Sequence, residues 1–365
     1  MRALSLVFLA GTFLLLPSIL FAQRLDSLLL KNYRPKSVYN IPVTKIEKAK
    51  FPVIDMHSHY EYAKSEKEIK DWIKLMDKYG IEKVILLTKA TGALFDSVYK
   101  VYTPYLDRFE LWCGFDYTGY QEPGWGASAI KELERCVKVG ARGVGELGDK
   151  GLGELFSDPV AAYGMHPDDK RMQPLFQKCA ELKIPVSIHT GDPIWMYQPM
   201  DSTNDGLMNG YKWRLDSTLP GFRNHKAMIQ TLENVVKANP KTTFIACHLA
   251  NSENDYSVLS RLLLTYDNLY ADLGAHMAEI APIPRATAAF LEKCKHKVVY
   301  GTDYHPTKIM YETTFRILET ADEHFYTTEL YGYHWALHGL NLSDDVLRKV
   351  YSENARKILQ DVRHQ

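Results

Sequence analysis

From Phe51 onward the sequence repeats one pattern: a short apolar run rich in β-branched residues, then an amphipathic stretch of helical period. The runs are Phe51–His57, Lys83–Thr88, Leu111–Tyr117, Ala141–Leu147, Ile184–His189, Thr242–His248, Leu269–Leu273 and Lys297–Gly301. Most lack strict apolar–polar alternation, as strands buried on both faces of a parallel sheet do. The stretches between them carry helix boundaries. Ser65 and Glu68 make a capping box, Ile69, Trp72, Ile73 and Met76 follow on one face, and Gly80 ends the helix. Ile130, Leu133 and Val137 mark a second helix closed by Gly140, and Met228, Leu232, Val235 and Val236 a third stopped at Asn239–Pro240. Eight strands alternating with helices predict an α/β fold, a (β/α)₈ barrel in preference to an open doubly wound sheet. At 365 residues the chain is long for one domain, yet barrels of ~250 residues or more are single domains.

Two segments exceed what a connection needs. Thr190–Asn224 follows the fifth strand and holds Pro193, Trp195, Tyr197, Pro199, Trp213 and Pro220. On a barrel, the segment after a strand lies over the C-terminal mouth, where ligands bind. Arg24–Lys50 precedes the first strand and is expected to wrap the barrel or link it to the N-terminus. There, Arg2 and the uncharged run Ala3–Ala22 read as a signal peptide removed after Ala22. The run is also long enough to remain as a membrane anchor, but Pro17 and the abrupt polar sequence after Ala22 favour cleavage. The expected organisation is thus residues 1–22 as signal peptide, 23–50 as an extension and 51–365 as the barrel, exported to a periplasm or beyond the cell.

Lysine plus arginine balance aspartate plus glutamate, 44 against 44, so no basic surface for nucleic acid or an anionic membrane is expected. The five cysteines, Cys113, Cys136, Cys179, Cys247 and Cys294, are scattered and form no CxxC pair. They are expected to be mostly buried apolar residues, with one or two disulfides at most.

The chemistry gathers where apolar runs end. His57 and His59 stand two residues apart at the end of the first run, so strand geometry puts both imidazoles on one face. The fifth run ends in His189, the sixth in His248, and the eighth leads through Gly301-Thr302 to Asp303. Buried without partners, such polar groups would be costly, and together at a barrel mouth they suit a metal ion. Glu146, in Gly143-Val144-Gly145-Glu146-Leu147-Gly148, ends the fourth run. Those six residues also match GxGxxG, but Asp149-Lys150-Gly151-Leu152-Gly153 follows where a dinucleotide site needs a helix. His334 and His338 are four residues apart without the glutamate of a helical zinc motif, and are read as structural.

Taken in order, several segments resemble the amidohydrolase superfamily, in particular its amidohydrolase-related (family 2) branch, over roughly residues 51–360. They are His57-x-His59, Pro167-Asp168-Asp169 leading to Ile184–His189, Thr243–His248, Gly301-Thr302-Asp303 and the closing Leu347–Arg356. The resemblance implies that His57, His59, His189 and Asp303 bind a divalent metal, usually zinc. His248 would hold a second ion or orient the substrate. Glu146 would bridge two ions, bind substrate or satisfy a neighbouring strand, and a lysine-bridged pair has no lysine at that position. A bound divalent ion lowers the pKa of its water to roughly 7. Asp303 is the expected general base and His248 the expected donor to a developing oxyanion.

The expected activity is hydrolysis of an ester, lactone or amide of a small polar substrate. The alternatives are a mononuclear decarboxylase or hydratase of the same branch, and a non-catalytic metal- or ligand-binding barrel. Trp195 and Trp213 are candidate stacking surfaces for the substrate. Arg214, Arg223 and Lys212 are candidates for a substrate carboxylate, and His305 for the pocket wall. The resemblance also implies a homodimer.

Overall fold

A computed structural model describes residues 27–148, 150–153, 157–327, 329–330 and 335–363. The proposed signal peptide and His334 lie outside the described residues. The chain divides into Met1–Arg34 and Pro35–Gln365. In the first unit, Leu30–Asn32 forms a short 3₁₀ turn.

In the second unit each of the eight apolar runs overlaps a strand. β1 (Val53–Ser58), β2 (Ile81–Leu87) and β3 (Phe109–Trp112) pair in parallel. β4 (Val144–Leu147) begins a second parallel set, and an antiparallel hairpin of two-residue strands, β5 (Leu152–Gly153) and β6 (Ala162–Tyr163), follows it in sequence. The second set then continues as β7 (Val186–Ile188), β8 (Phe244–Ala246), β9 (Leu269–Asp272) and β10 (Val298–Val299). Backbone hydrogen bonds join the two sets at both seams. Val144 bridges Cys113 in parallel, with Gly145 N–H donating to Cys113 O at 2.9 Å. At the other seam Met56 N–H donates to Tyr300 O at 2.9 Å, and His57 O accepts from Thr302 and Asp303 at 3.2 and 2.8 Å. The result is the (β/α)₈ architecture, with the hairpin inserted after its fourth strand.

Helices follow the strands: α1 (Glu66–Tyr79), α2 (Gly92–Tyr102), α3 (Trp125–Val139), α4 (Gln173–Glu181), α5 (Leu207–Trp213), α6 (His225–Ala238) and α7 (Tyr256–Thr265). The one-turn α8 (Met277–Ile280) precedes α9 (Pro284–Lys293), α10 (Lys308–Glu319), α11 (Asp344–Arg348) and α12 (Asn354–Arg363). The capping box at Ser65 and Glu68 forms as expected, and Gly80 ends α1 in the left-handed conformation at φ 82°. Apolar residues separate into two layers. Val84, Leu86, Leu111, Val186, Phe244 and Leu269 face the helices. Ile54, Met56, Ile85, Leu87, Trp112, Ile245, Tyr270 and Val299 fill the barrel, and Ile358 and Leu359 of α12 join that inner cluster. The interior at the level of these residues is therefore a packed core, and the strand ends above it form the mouth.

Residues 44–50 pack on the barrel body: Thr44 N–H donates to Asp322 at 2.8 Å, Ala49 N–H to Tyr79 O at 3.1 Å, and Ile46 is buried. All five cysteines are buried free thiols, so no disulfide forms among them. The Thr190–Asn224 segment has structure of its own, a 3₁₀ turn at Ile194–Tyr197 and α5.

A candidate metal centre at the barrel mouth

Alternation along β1 puts Ile54 and Met56 inside the barrel, which would turn His57 toward the helices. A register shift between Asp55 and Ser58 re-aims it, and a second between Val144 and Leu147 does the same for Glu146. His57 then fits a cradle of glycines. A Cβ on Gly274 would lie 2.8 Å from His57 Nδ1, and one on Gly301 would lie 2.8 Å from His57 Cβ. Thr302 fastens the eighth strand to the first: its N–H and hydroxyl donate to Asp55 at 3.0 and 2.5 Å.

Second partners set the orientation of each imidazole. His57 Nδ1 meets Asp272 Oδ2 at 2.9 Å, and His59 Nδ1 meets Leu87 O at 2.9 Å. With the Nδ1 protons so placed, both Nε2 lone pairs face Asp303 Oδ1, at 3.8 Å from His57 and 3.0 Å from His59. His57 Nε2 is buried and makes no hydrogen bond among the described residues. Donor atoms of His57, His59 and Asp303 lie within 4.8 Å of one another, as do those of His57, Glu146 and His248. Nitrogen and carboxylate donors converging on a buried, unpartnered imidazole nitrogen fit a divalent cation.

Glu146 sits between two groups of imidazoles. Its Oε2 lies 3.6 Å from His59 Nε2 and 3.9 Å from His57 Nε2. Its Oε1 contacts His189 Nδ1 and lies 3.1 Å from His248 Nε2. His248 Nδ1 is 2.8 Å from Gly274 O, so its proton is placed there and Nε2 is left as an acceptor in the neutral ring. The turn carrying His248 is strained: His248, Leu249, Ala250 and Asn251 have φ of 57°, 49°, 54° and 51°. Asp272 Oδ1 accepts from His248 N–H at 2.9 Å, and Asn251 O meets His225 Nε2 at 2.7 Å, holding both ends of the turn.

Opposing charges tune the cluster. Burial alone would raise the Asp303 carboxyl, but His57, His59 and His248 offset it and hold it at about 2. Glu146 likewise resists burial and falls well below the ordinary carboxylate range, through His189, His248 and His57. Burial lowers the His57 imidazole, and Asp272 and Asp303 more than reverse that, leaving it well raised. His189 goes the other way: burial and the nearby Lys150 charge bring it down to about 4 against the pull of Glu146.

Of the residues expected at the site, His57, His59, Glu146, His189, His248 and Asp303 come together, with His189 joined through Glu146 and His248. The substrate candidates are not among these converging donor groups. Trp195 is 9% exposed and packs over glycines, a Cβ on Gly206 falling 2.2 Å from its ring. Trp213 is 57% exposed, and Arg214 is exposed with its guanidinium over Tyr211. Lys212 is exposed, and Arg223 is paired with Asp168 at 2.8 Å. His305 is exposed, its ring 5.5 Å from that of Tyr62. His338 Nδ1 accepts from His324 N–H at 3.3 Å. Four residues enter unannounced. Asp272 orients His57; it ends an apolar strand, the same signal that marks His189. Tyr62 directs its hydroxyl at Asp303 from 3.5 Å, and Lys150 pairs with Asp192 beside His189.

Known proteins agree with this architecture. Solved structures with similar folds include a TIM-barrel protein of Bordetella bronchiseptica, 16% identical, covering 86% of this chain and 99% of that one, with a TM-score of 0.53. A 2,6-dihydroxybenzoate decarboxylase bound to 2,6-dihydroxybenzoate is 15% identical, covering 85% and 99%, with a TM-score of 0.53. A dihydroxybenzoic acid decarboxylase of Polaromonas sp. JS666, with manganese and 2-nitroresorcinol, is 14% identical, covering 85% and 97%, with a TM-score of 0.52. At these identities the likeness is one of fold. No curated protein sequence matches the chain. The sequence profile of one family, described as amidohydrolase, matches residues 54–360. With the profile spanning nearly the whole barrel, the chain belongs to the amidohydrolase family.

Proposed function

We propose that the protein is an exported, metal-dependent hydrolase that cleaves an ester, lactone or amide bond of a small polar substrate. Glu146 carries this reading. Its two oxygens address different imidazole groups, His57 and His59 on one side, His189 and His248 on the other. A carboxylate so placed suits two adjacent cation positions, an arrangement used to hydrolyse acyl and phosphoryl bonds. When bound, divalent cations there supply Lewis acidity, polarising the scissile carbonyl and making a water more acidic. His57, His59 and Asp303 would hold one, and His189 and His248 the other, with Glu146 shared. Zinc suits imidazole and carboxylate donors, and manganese occupies the Polaromonas decarboxylase.

The chain's own groups do the remaining work. The Asp303 carboxylate accepts the proton of the attacking water, and Tyr62, with its hydroxyl 3.5 Å from Oδ1, steadies that carboxylate. His248 has two forms with different uses. Neutral, it offers Nε2 as a ligand; protonated, it donates from Nε2 to a developing oxyanion. The packed core beneath the mouth keeps bulk water out from below. Export is supported by Arg2 and the apolar run Ala3–Ala22, and the balanced charge fits a small-molecule substrate better than nucleic acid. Homodimerisation is proposed on the family resemblance alone.

Decarboxylation is the second reading, because two solved proteins of this fold are decarboxylases of dihydroxybenzoates. Metal analysis of the purified protein and of Glu146→Ala separates the two. Two ions per chain falling to one in the variant support the bridged hydrolase, with turnover expected on an ester and lactone panel. One ion in both brings decarboxylation level with hydrolysis, to be decided by carbon dioxide release. No bound ion after reconstitution overturns both.

A further inference from the structure

Lys150 and Asp192 come from two different mouth segments, the first after β4 and the second after β7. Lys150 is only 6% exposed, and its Nζ lies 2.6 Å from Asp192 Oδ1. The same carboxylate oxygen is 4.0 Å from His189 Nε2, while His189 Nδ1 contacts Glu146 on its other side. The ion pair therefore borders the metal centre one imidazole away from the shared carboxylate.

Lysine is among the residues least often buried, and a buried ion pair is a poor way to stabilise a fold. This pair is not needed to join strands, since neither residue lies on one. Asp192 Oδ2 is buried with no hydrogen-bond partner among the described residues. Glu146, Asp272 and Asp303 bring three carboxyl groups to one small volume, whose charge bound divalent cations would offset. A substrate carboxylate lying on the mouth side of His189 would meet a fixed positive charge there. Lys150 supplies one.

We propose that Lys150 is the specificity-determining residue for a carboxylate-bearing substrate, held in place by Asp192 until the substrate's carboxylate joins or replaces that partner. This rests on the barrel mouth being the active site, and it narrows the substrate class to small carboxylic acids whose scissile bond lies beside the charged group. An ammonium acts here as a point charge of adaptable geometry, so it tolerates acids of differing shape.

Direct binding tests the proposal without turnover, which separates its failure from that of the hydrolytic reading. The probes are acetate, succinate and benzoate, each beside its uncharged amide, titrated calorimetrically into the metal-loaded protein. The wild type is expected to prefer at least one acid over its amide. Lys150→Met should lose that preference by tenfold or more with metal content unchanged, and Lys150→Arg should recover part of it. Asp192→Asn moves the opposite way, because the ammonium loses its resident counter-charge, and should strengthen acid binding severalfold. Four results would overturn the proposal. They are no acid preference in the wild type, a preference intact in Lys150→Met (acid held by the metal alone), equal losses for acid and amide, or weaker acid binding in Asp192→Asn.

Discussion

The sharpest test of the metal centre is a substitution that never touches the metal. Asp272 is fully buried; its Oδ2 holds His57 Nδ1 at 2.9 Å, and its Oδ1 accepts from the N–H groups of His248 and Gly274, each at 2.9 Å. Asp272→Asn keeps an oxygen for the two backbone donors but turns an amide NH₂ toward His57. Two donors cannot face each other, so the ring moves its proton to Nε2 and withdraws the lone pair aimed at the centre. Losing such an orienting partner costs about 10- to 100-fold in metal affinity, which is about 1.4–2.7 kcal/mol. The assay is chelator competition on the reconstituted protein, with melting of the metal-free form measured alongside. Asp272→Ala serves as the contrast. It strands both backbone donors as well, at about 1–3 kcal/mol each, and should melt much earlier, whereas Asp272→Asn should not. A wild-type affinity in Asp272→Asn, within twofold, would refute the account of how His57 is held.

Two further outcomes follow from geometry away from the metal. Gly206→Ala places a methyl 2.2 Å from the Trp195 ring, which cannot swing aside while buried; overpacking of about 1–3 kcal/mol should speed hydrogen exchange across residues 194–213. Unchanged exchange there would mean the loop does not depend on Trp195. The Arg135 guanidinium, bonded to Glu132 one turn earlier on α3 and to Asp96 of α2, holds the Glu132 carboxyl at about 2, below its ordinary value. Its contribution is thus present above the unfolded value and lost as pH falls toward 2. Wild type should lose roughly 1–2 kcal/mol more than Glu132→Gln between about pH 5 and 2. Parallel acid-unfolding curves for the two would contradict it.

The strands and the polar strand ends were legible because both follow local rules, apolar runs for burial and polar termini for the mouth. His57, His59, Glu146, His189, His248 and Asp303 all answer to that pattern. The register shifts in β1 and β4 were not, because a bulge depends on how neighbouring strands pair. Asp272 carried the same signal as His189, a polar residue ending an apolar strand, but its work on His57 shows only in the contact between them. Trp195 and Trp213 are alike in sequence, yet one is swallowed by its own loop and the other faces solvent. Tertiary packing alone separates them. The glycine-rich stretch after β4 opens no helix among the described residues before Gln173, consistent with setting aside a dinucleotide site.

The seam between β1 and β10 bears on how the protein is made. His57 O takes N–H groups from Thr302 and Asp303, and Asp55 takes the Thr302 side chain. The first ligand pair synthesised is thus completed by nearly the last strand. A nascent chain holds His57 and His59 for most of its translation with no partner across the seam, and β1 is an open edge until then. The His57, His59 and Asp303 donor set is therefore complete only after ring closure, when most of the chain has been made. A fragment ending before Gly301 would carry five of the six ligand-type residues and still have no Asp303 to gather them.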